Sequence, residues 1–191
     1  MATVIGNRRL RRLGGGAPTG IGRDPAVATI ERHSLHVPDR MCEAYDYLKP
    51  AAFSRGMEVR LAGARLVFVS GTASVGPDGQ SLHPGDFRGQ ARRAFENARA
   101  VLASAGADWH DVVKATVFLK DIRAHYEMFN EVRCAYFREL GLYPYPASTC
   151  VEARLCREEL LIEMELIAAV PEQSHPAPGH FPEPSIHIPI G

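Results

Sequence analysis

The chain lacks most of what would commit it to a specialised fold or compartment. It has one tryptophan and four cysteines among 191 residues. Cys42, Cys134, Cys150 and Cys156 form no C-x-x-C pair and no zinc spacing, so neither a metal knot nor a disulfide scaffold is expected. Reduced thiols in a cytoplasm are the simplest expectation. No run approaches the ~20 apolar residues of a membrane span. The basic N-terminus lacks the apolar stretch of a secretory leader. Net charge is also missing: 22 basic residues balance 22 acidic ones. No overall field then favours nucleic acid or membrane as a partner. There is no glycine-rich phosphate loop and no internal repeat, and no cofactor is expected. His33 and His36 form a lone H-x-x-H, read as two surface histidines, not as a metal site.

What is present falls into three zones. Residues 1 to about 50 form an extension with few periodic apolar positions, partly flexible. It includes the basic run Arg8-Arg9-Leu10-Arg11-Arg12 and the flexible Gly14-Gly15-Gly16, expected as a solvated arm. Residues 51–170 carry the core. Residues 171–191 form a tail with Pro171, Pro176, Pro178, Pro182, Pro184 and Pro189. Proline lacks the amide donor, so this tail makes neither a helix nor a central strand.

Within the core zone, Met57 to Leu61 and Arg65 to Ser70 read as strands, the second built on Leu66-Val67-Phe68-Val69. Phe87, Ala91, Ala94, Phe95, Ala98, Val101 and Leu102 recur at helical spacing. Asp86 suits the start of that helix and Gly106 its end. Val112 to Leu119 is β-branched and alternating. Asp121 opens a second helix with the stripe Tyr126, Phe129, Val132, Tyr136, Phe137 and Leu140. Ala147 to Leu155 and Leu160 to Val170 give two last strands. The order ββαβαββ predicts a two-layer α+β domain, with both helices on one face of the sheet. The last strand has apolar residues in both alternating sets, Ile162, Met164 and Leu166 in one and Leu161 and Ile167 in the other. The second face would then be an apolar patch of the kind soluble monomers avoid, so self-association is expected.

Several motifs are shared with a known family. They are Leu66-Val67-Phe68-Val69-Ser70-Gly71, then Gln90 and Asn97, Ala105-Gly106-Ala107, Asp111-Val112-Val113-Lys114 and Phe129-Asn130. Pro146-Ala147, Cys150-Val151 and Glu163-Met164-Glu165 follow. Residues 53–168 resemble the YjgF/Rid family in the order and spacing of these motifs. The resemblance implies a mixed sheet of about six strands and a homotrimer with clefts between subunits. It also implies hydrolysis of reactive enamines and imines of amino acids to keto acids and ammonia. A small anionic metabolite is the partner this implies.

The site carries over only in part. Where the family places a substrate-clamping arginine after Pro-Ala, this chain has Ser148. Cys150 and Glu163 match the family's cleft cysteine and glutamate, and Phe53 stands for a common tyrosine. Arg55 and Arg157 are candidates to replace the missing guanidinium, whose two parallel donors suit a carboxylate. Ser70, Thr72 and Ser148 offer hydroxyls for an anion. Glu163 is the candidate general acid, since an apolar cleft raises a carboxyl pKa; the competing role is an interface ion pair. Ser70-Gly71-Thr72-Ala73-Ser74, with Cys156-Arg157 leading into Glu163, is also similar to chorismatases, which use this fold to cleave an enol ether with water. The expected functions are a hydrolase of an enamine, imine or enol ether of a small carboxylic acid, or a non-catalytic trimer binding a metabolite or protein. The balanced charge argues against a ribonuclease.

Overall fold

A computed structural model describes residues 30–171. The basic run near the N-terminus and the proline-rich tail beyond residue 171 lie outside the described residues. The chain forms β1 (Glu31–Leu35), β2 (Gly56–Leu61), β3 (Ala64–Ala73), α1 (Phe87–Ser104), β4 (Val112–Leu119), α2 (Ile122–Glu139), β5 (Ala147–Glu152) and β6 (Ile162–Pro171). The six strands make one sheet in the order β1-β2-β3-β6-β4-β5. Only β4 and β5 are parallel, because α2 carries the chain back between them. All other neighbours are antiparallel. The α+β class and the mixed sheet expected from the sequence are those observed.

The helices start where local chemistry says they should. Asp86 accepts from the Gly89 amide at 3.0 Å, and Asp121 from the Ala124 amide at 2.9 Å. Each such cap contributes about 1 kcal/mol. Both helices stop at a residue with left-handed backbone close behind, Gly106 at φ 65° and Gly141 at φ 60°, a conformation that favours glycine.

Packing follows the alternation of β6. Ile162, Met164, Leu166, Ala168 and Val170 are buried. They meet Val67, Val69, Val117 and the apolar stripe of α1 in one core. Phe95 anchors an aromatic cluster with Trp109, Phe129, Tyr136 and Phe137. The alternate positions, Glu163, Glu165, Ile167 and Ala169, point to the other face. There the register aligns Met57, Phe68 and Ile167 across three strands. Among the described residues no helix covers this face, and Phe68 is 39% exposed.

Strand β1 was not among those read from the sequence. Glu31-Arg32-His33-Ser34-Leu35 has one apolar residue, and only Leu35 is buried. Its order comes from pairing with β2, which pattern alone does not reveal. A polar edge strand of this kind also discourages unwanted strand addition. The following segment is fixed by Met41 and Ala44, both buried, and by the Arg40–Glu96 ion pair at 2.6 Å. Two further boundaries differ: β5 ends at Glu152 and β6 begins at Ile162. Between them Gln90 of α1 holds the connecting loop, donating to the Glu159 carbonyl and accepting from the Leu161 amide, each at 2.8 Å.

Candidate active site

A cleft of about 990 Å³ opens beside the upper end of β3 and β6. Its walls bring together Phe53, Arg55, Ser70, Arg157 and Glu163, five of the eight residues singled out from sequence. One further wall comes from residues 41–51, including Cys42, Tyr47 and Lys49, and another from the turn at Asp78, Gly79 and Gln80.

The cleft is shaped by an irregularity in β3. Val69 pairs with Leu166 and Thr72 with Met164. Ser70 and Gly71 together therefore oppose Glu165, the two-against-one arrangement of a β-bulge. The Ser70 hydroxyl donates to the Ser54 carbonyl at 2.7 Å, and the Thr72 hydroxyl to the Ser70 carbonyl at 2.7 Å. Thr72 is buried at 1% exposure and points away from the cleft, into the helix side.

Glu163 reaches over the bulge. A Cβ added at Gly71 would lie 2.0 Å from its Oε1, so only glycine leaves room for the carboxyl there. Glu163 has no hydrogen-bond or ion-pair partner among the described residues. Burial, with a smaller contribution from the neighbouring Glu165 carboxylate, raises its pKa above the ordinary value. Such a carboxyl is suited to hold and deliver a proton.

Two guanidinium groups flank Tyr47, which sequence reading did not place in the site. Arg55 lies 5.2 Å and Arg157 5.1 Å from its ring centroid, a cation–π arrangement. Arg55 is only 3% exposed and donates to the Cys42 carbonyl and the Tyr47 hydroxyl. It also lies 5.5 Å from the ring centroid of Phe53. It bolts the N-terminal segment to the cleft. Arg157 is half-buried and donates to the Gly79 carbonyl at 2.7 Å and the Ser81 hydroxyl at 3.2 Å. No spacing signal pointed to Tyr47, since its role depends on a fold-back that the sequence does not display.

Ser148 and Cys150 lie elsewhere. They pair with Ala115 and Val117 and so share the helix face of the sheet, opposite the face of Glu163. Arg133 of α2 donates to the Ser148 hydroxyl at 3.3 Å. Burial pushes the Cys150 thiol pKa up, opposed by the Arg133 charge, so this cysteine is not an activated nucleophile. All four cysteines are free thiols. Among the described residues there is no cluster able to hold a metal ion and no helix long and apolar enough to cross a membrane. Asn97 donates to the carbonyls of Ala73 and Val75, each at 2.9 Å, a structural bond that ties α1 to the end of β3.

Comparison with known proteins agrees with this architecture. The family described as endoribonuclease L-PSP matches residues 48–170. A RutC family protein of Pyrococcus abyssi is 41% identical over 102 residues, covering 53% of this chain and 76% of the relative. The 2-iminobutanoate/2-iminopropanoate deaminase of Escherichia coli is 34% identical over 103 residues, covering 54% of this chain and 78% of the relative. The crystal structure of E. coli TdcF with bound serine superposes with a TM-score of 0.58 at 28% identity, covering 71% of this chain and 97% of that one. A family match spanning most of the described residues, on the same sheet and helices, settles the kinship: the chain belongs to the endoribonuclease L-PSP family, the YjgF/Rid superfamily.

Proposed function

We propose that this protein hydrolyses an enamine or imine of a small carboxylic acid, with Glu163 as the proton donor. The observation that carries the reading is a desolvated carboxyl seated on Gly71 at the wall of a large cleft, its pKa raised and its oxygens unpartnered. A relative named as a 2-iminobutanoate/2-iminopropanoate deaminase supports the reaction class. In the reaction, the imine is protonated on nitrogen and its carbon takes up water. Collapse of the adduct breaks the carbon–nitrogen bond and releases ammonia and a 2-keto acid. Protonation makes the carbon electrophilic, and general acid–base groups of this kind contribute roughly 100-fold or more.

The working form on this reading is a homotrimer. It is supported by the exposed apolar face around Met57, Phe68 and Ile167. In such an assembly, β5 of one subunit, with Ser148 and Cys150, lies near the cleft of the next. The ligand is a small anion, and Arg157 is the cleft guanidinium with exposed surface to meet it.

The test is ammonia release from 2-iminobutanoate generated in situ, beside pyruvate release from chorismate. Turnover of the imine, reduced roughly 100-fold or more in Glu163→Gln, is the expected result. Pyruvate from chorismate would shift the assignment to enol-ether cleavage. Binding of small carboxylates without turnover of either would make the protein a metabolite-binding trimer.

A further inference from the structure

Three segments meet at one wall of the Glu163 cleft. Residues 41–47 fold back against it, with Met41 and Ala44 buried and the Ala51 amide donating to the Ala44 carbonyl at 2.9 Å. The turn at residues 76–81 is tied to them, since the Cys42 amide donates to the Gly76 carbonyl at 3.2 Å. Arg157 comes from the loop ahead of β6. All three contribute to the lining, and Tyr47 stands where they converge.

Tyr47 is itself held, and it holds a neighbour. The buried Arg55 donates to its hydroxyl and keeps a guanidinium 5.2 Å from its ring centroid. Arg157 lies 5.1 Å from the same centroid. The bonds of Arg157 to the Gly79 carbonyl and the Ser81 hydroxyl both use Nη1, and Ser81 donates onward to Glu159 at 2.7 Å. The arginine is thus steadied by a ring and by neutral oxygens, and it keeps donors for an anion in the cleft. A ring fixes a guanidinium without neutralising it, which a carboxylate partner would do. An arginine fixed beforehand also loses less freedom when it grips a ligand.

We infer that Tyr47 is a positioning residue for ligand binding: its ring fixes Arg157 at the cleft wall, and Arg55 fixes Tyr47. The inference rests on the reading of this cleft as the site of a small anion. Tyr47 lies just ahead of the family match, which begins at residue 48, so the matched core does not supply this device. The ring, not the hydroxyl, is what Arg157 needs.

The full-length protein is compared with Tyr47→Leu, Tyr47→Phe, Arg157→Gln and the double variant Tyr47→Leu/Arg157→Gln, each checked for folding by circular dichroism. Two readouts are taken: steady-state turnover of 2-iminobutanoate generated in situ, and calorimetric binding of 2-oxobutanoate, the keto acid that hydrolysis would release. Expected is a rise of roughly tenfold in KM and in Kd for Tyr47→Leu and for Arg157→Gln, with kcat within about twofold. The double variant is no weaker than the weaker single one, because both changes remove the same anchor. Tyr47→Phe keeps the ring and stays within about threefold of the parent. Parent affinity in a folded Tyr47→Leu would overturn the inference. So would a double variant weakened by the product of the two single effects, since the residues would then act independently. Equal weakening by Tyr47→Phe and Tyr47→Leu would overturn it too, by assigning the effect to the hydroxyl. A protein inert toward the imine that still shows the expected Kd pattern would remove the deaminase reading and leave the inference standing. No binding of 2-oxobutanoate to about 10 mM, beyond millimolar affinity, would overturn the inference even if the imine turned over.

Discussion

Glu163 and Gly71 act as one unit, because a side chain added at Gly71 displaces the Glu163 carboxyl. Gly71→Ala puts a methyl group where the Glu163 carboxyl oxygen sits. The carboxyl must swing away, so activity toward the imine is expected to fall roughly as far as in Glu163→Gln, while the fold persists. The charge state gives a second expectation. Glu163 has a raised pKa in the folded protein, first through burial and then through Glu165. From the unfolded value near ~4.3 up to the folded pKa, the native state holds more protons than the unfolded one. Stability contributed by this group is therefore present at low pH and lost as pH rises through that window. Glu163→Gln removes the loss, so its Tm should exceed that of the parent at pH 8 and converge with it near pH 4. A lower Tm for the variant at pH 8 would mean that Glu163 is held in an ion pair across an interface. At this scale the motif singled out Glu163 as the candidate acid before its surroundings were known. It did not show that Arg55 would be spent on a backbone carbonyl, because partners of a guanidinium are set by folding, not by spacing.

Among the elements, those with local causes were legible and those with distant causes were not. Both helices announce themselves by apolar periodicity, an aspartate cap and a terminal glycine. β3 was legible as far as Ser70, but its extension past the bulge to Ala73 depends on pairing with β6. β1 and the segment over residues 41–53 carry weak apolar patterns and owe their order to tertiary contacts. Arg55 is the main polar one. Its donors to Cys42 and Tyr47 are charge-assisted, a class of bond worth roughly 1.5–3 kcal/mol when buried. Arg55→Met should thus destabilise the protein by about 2 kcal/mol. Hydrogen exchange should speed at the amides of Asp46, Tyr47 and Ala51, whose carbonyl partners lie in the same segment. Unchanged protection at these amides, with the sheet amides as reference, would show that the segment is held without Arg55.

At the scale of the whole molecule, the governing feature is one sheet with two unlike faces. The helices bury Ile162, Met164 and Leu166, and the opposite face keeps Met57, Phe68 and Ile167 in register with no described helix above them. That second face was inferable from β6 alone, since both of its alternating sets contain apolar residues. The strands that would complete the patch were not, because register is fixed only when neighbours are assigned. Burying apolar area at roughly 25 cal/mol per Å² favours association once several such side chains meet. A trimer should have three times the 20.9 kDa mass of the chain. Phe68→Glu places a charge in the middle of this row, where desolvation opposes it. It leaves the helix-side core untouched, because Phe68 faces away from it. The expected outcome in light scattering is a parent protein at the trimer mass and a folded Phe68→Glu variant shifted toward the single-chain mass. A parent protein that is monomeric at micromolar concentration would mean that this face is covered by something other than a second copy, and the inter-subunit cleft would fall with it.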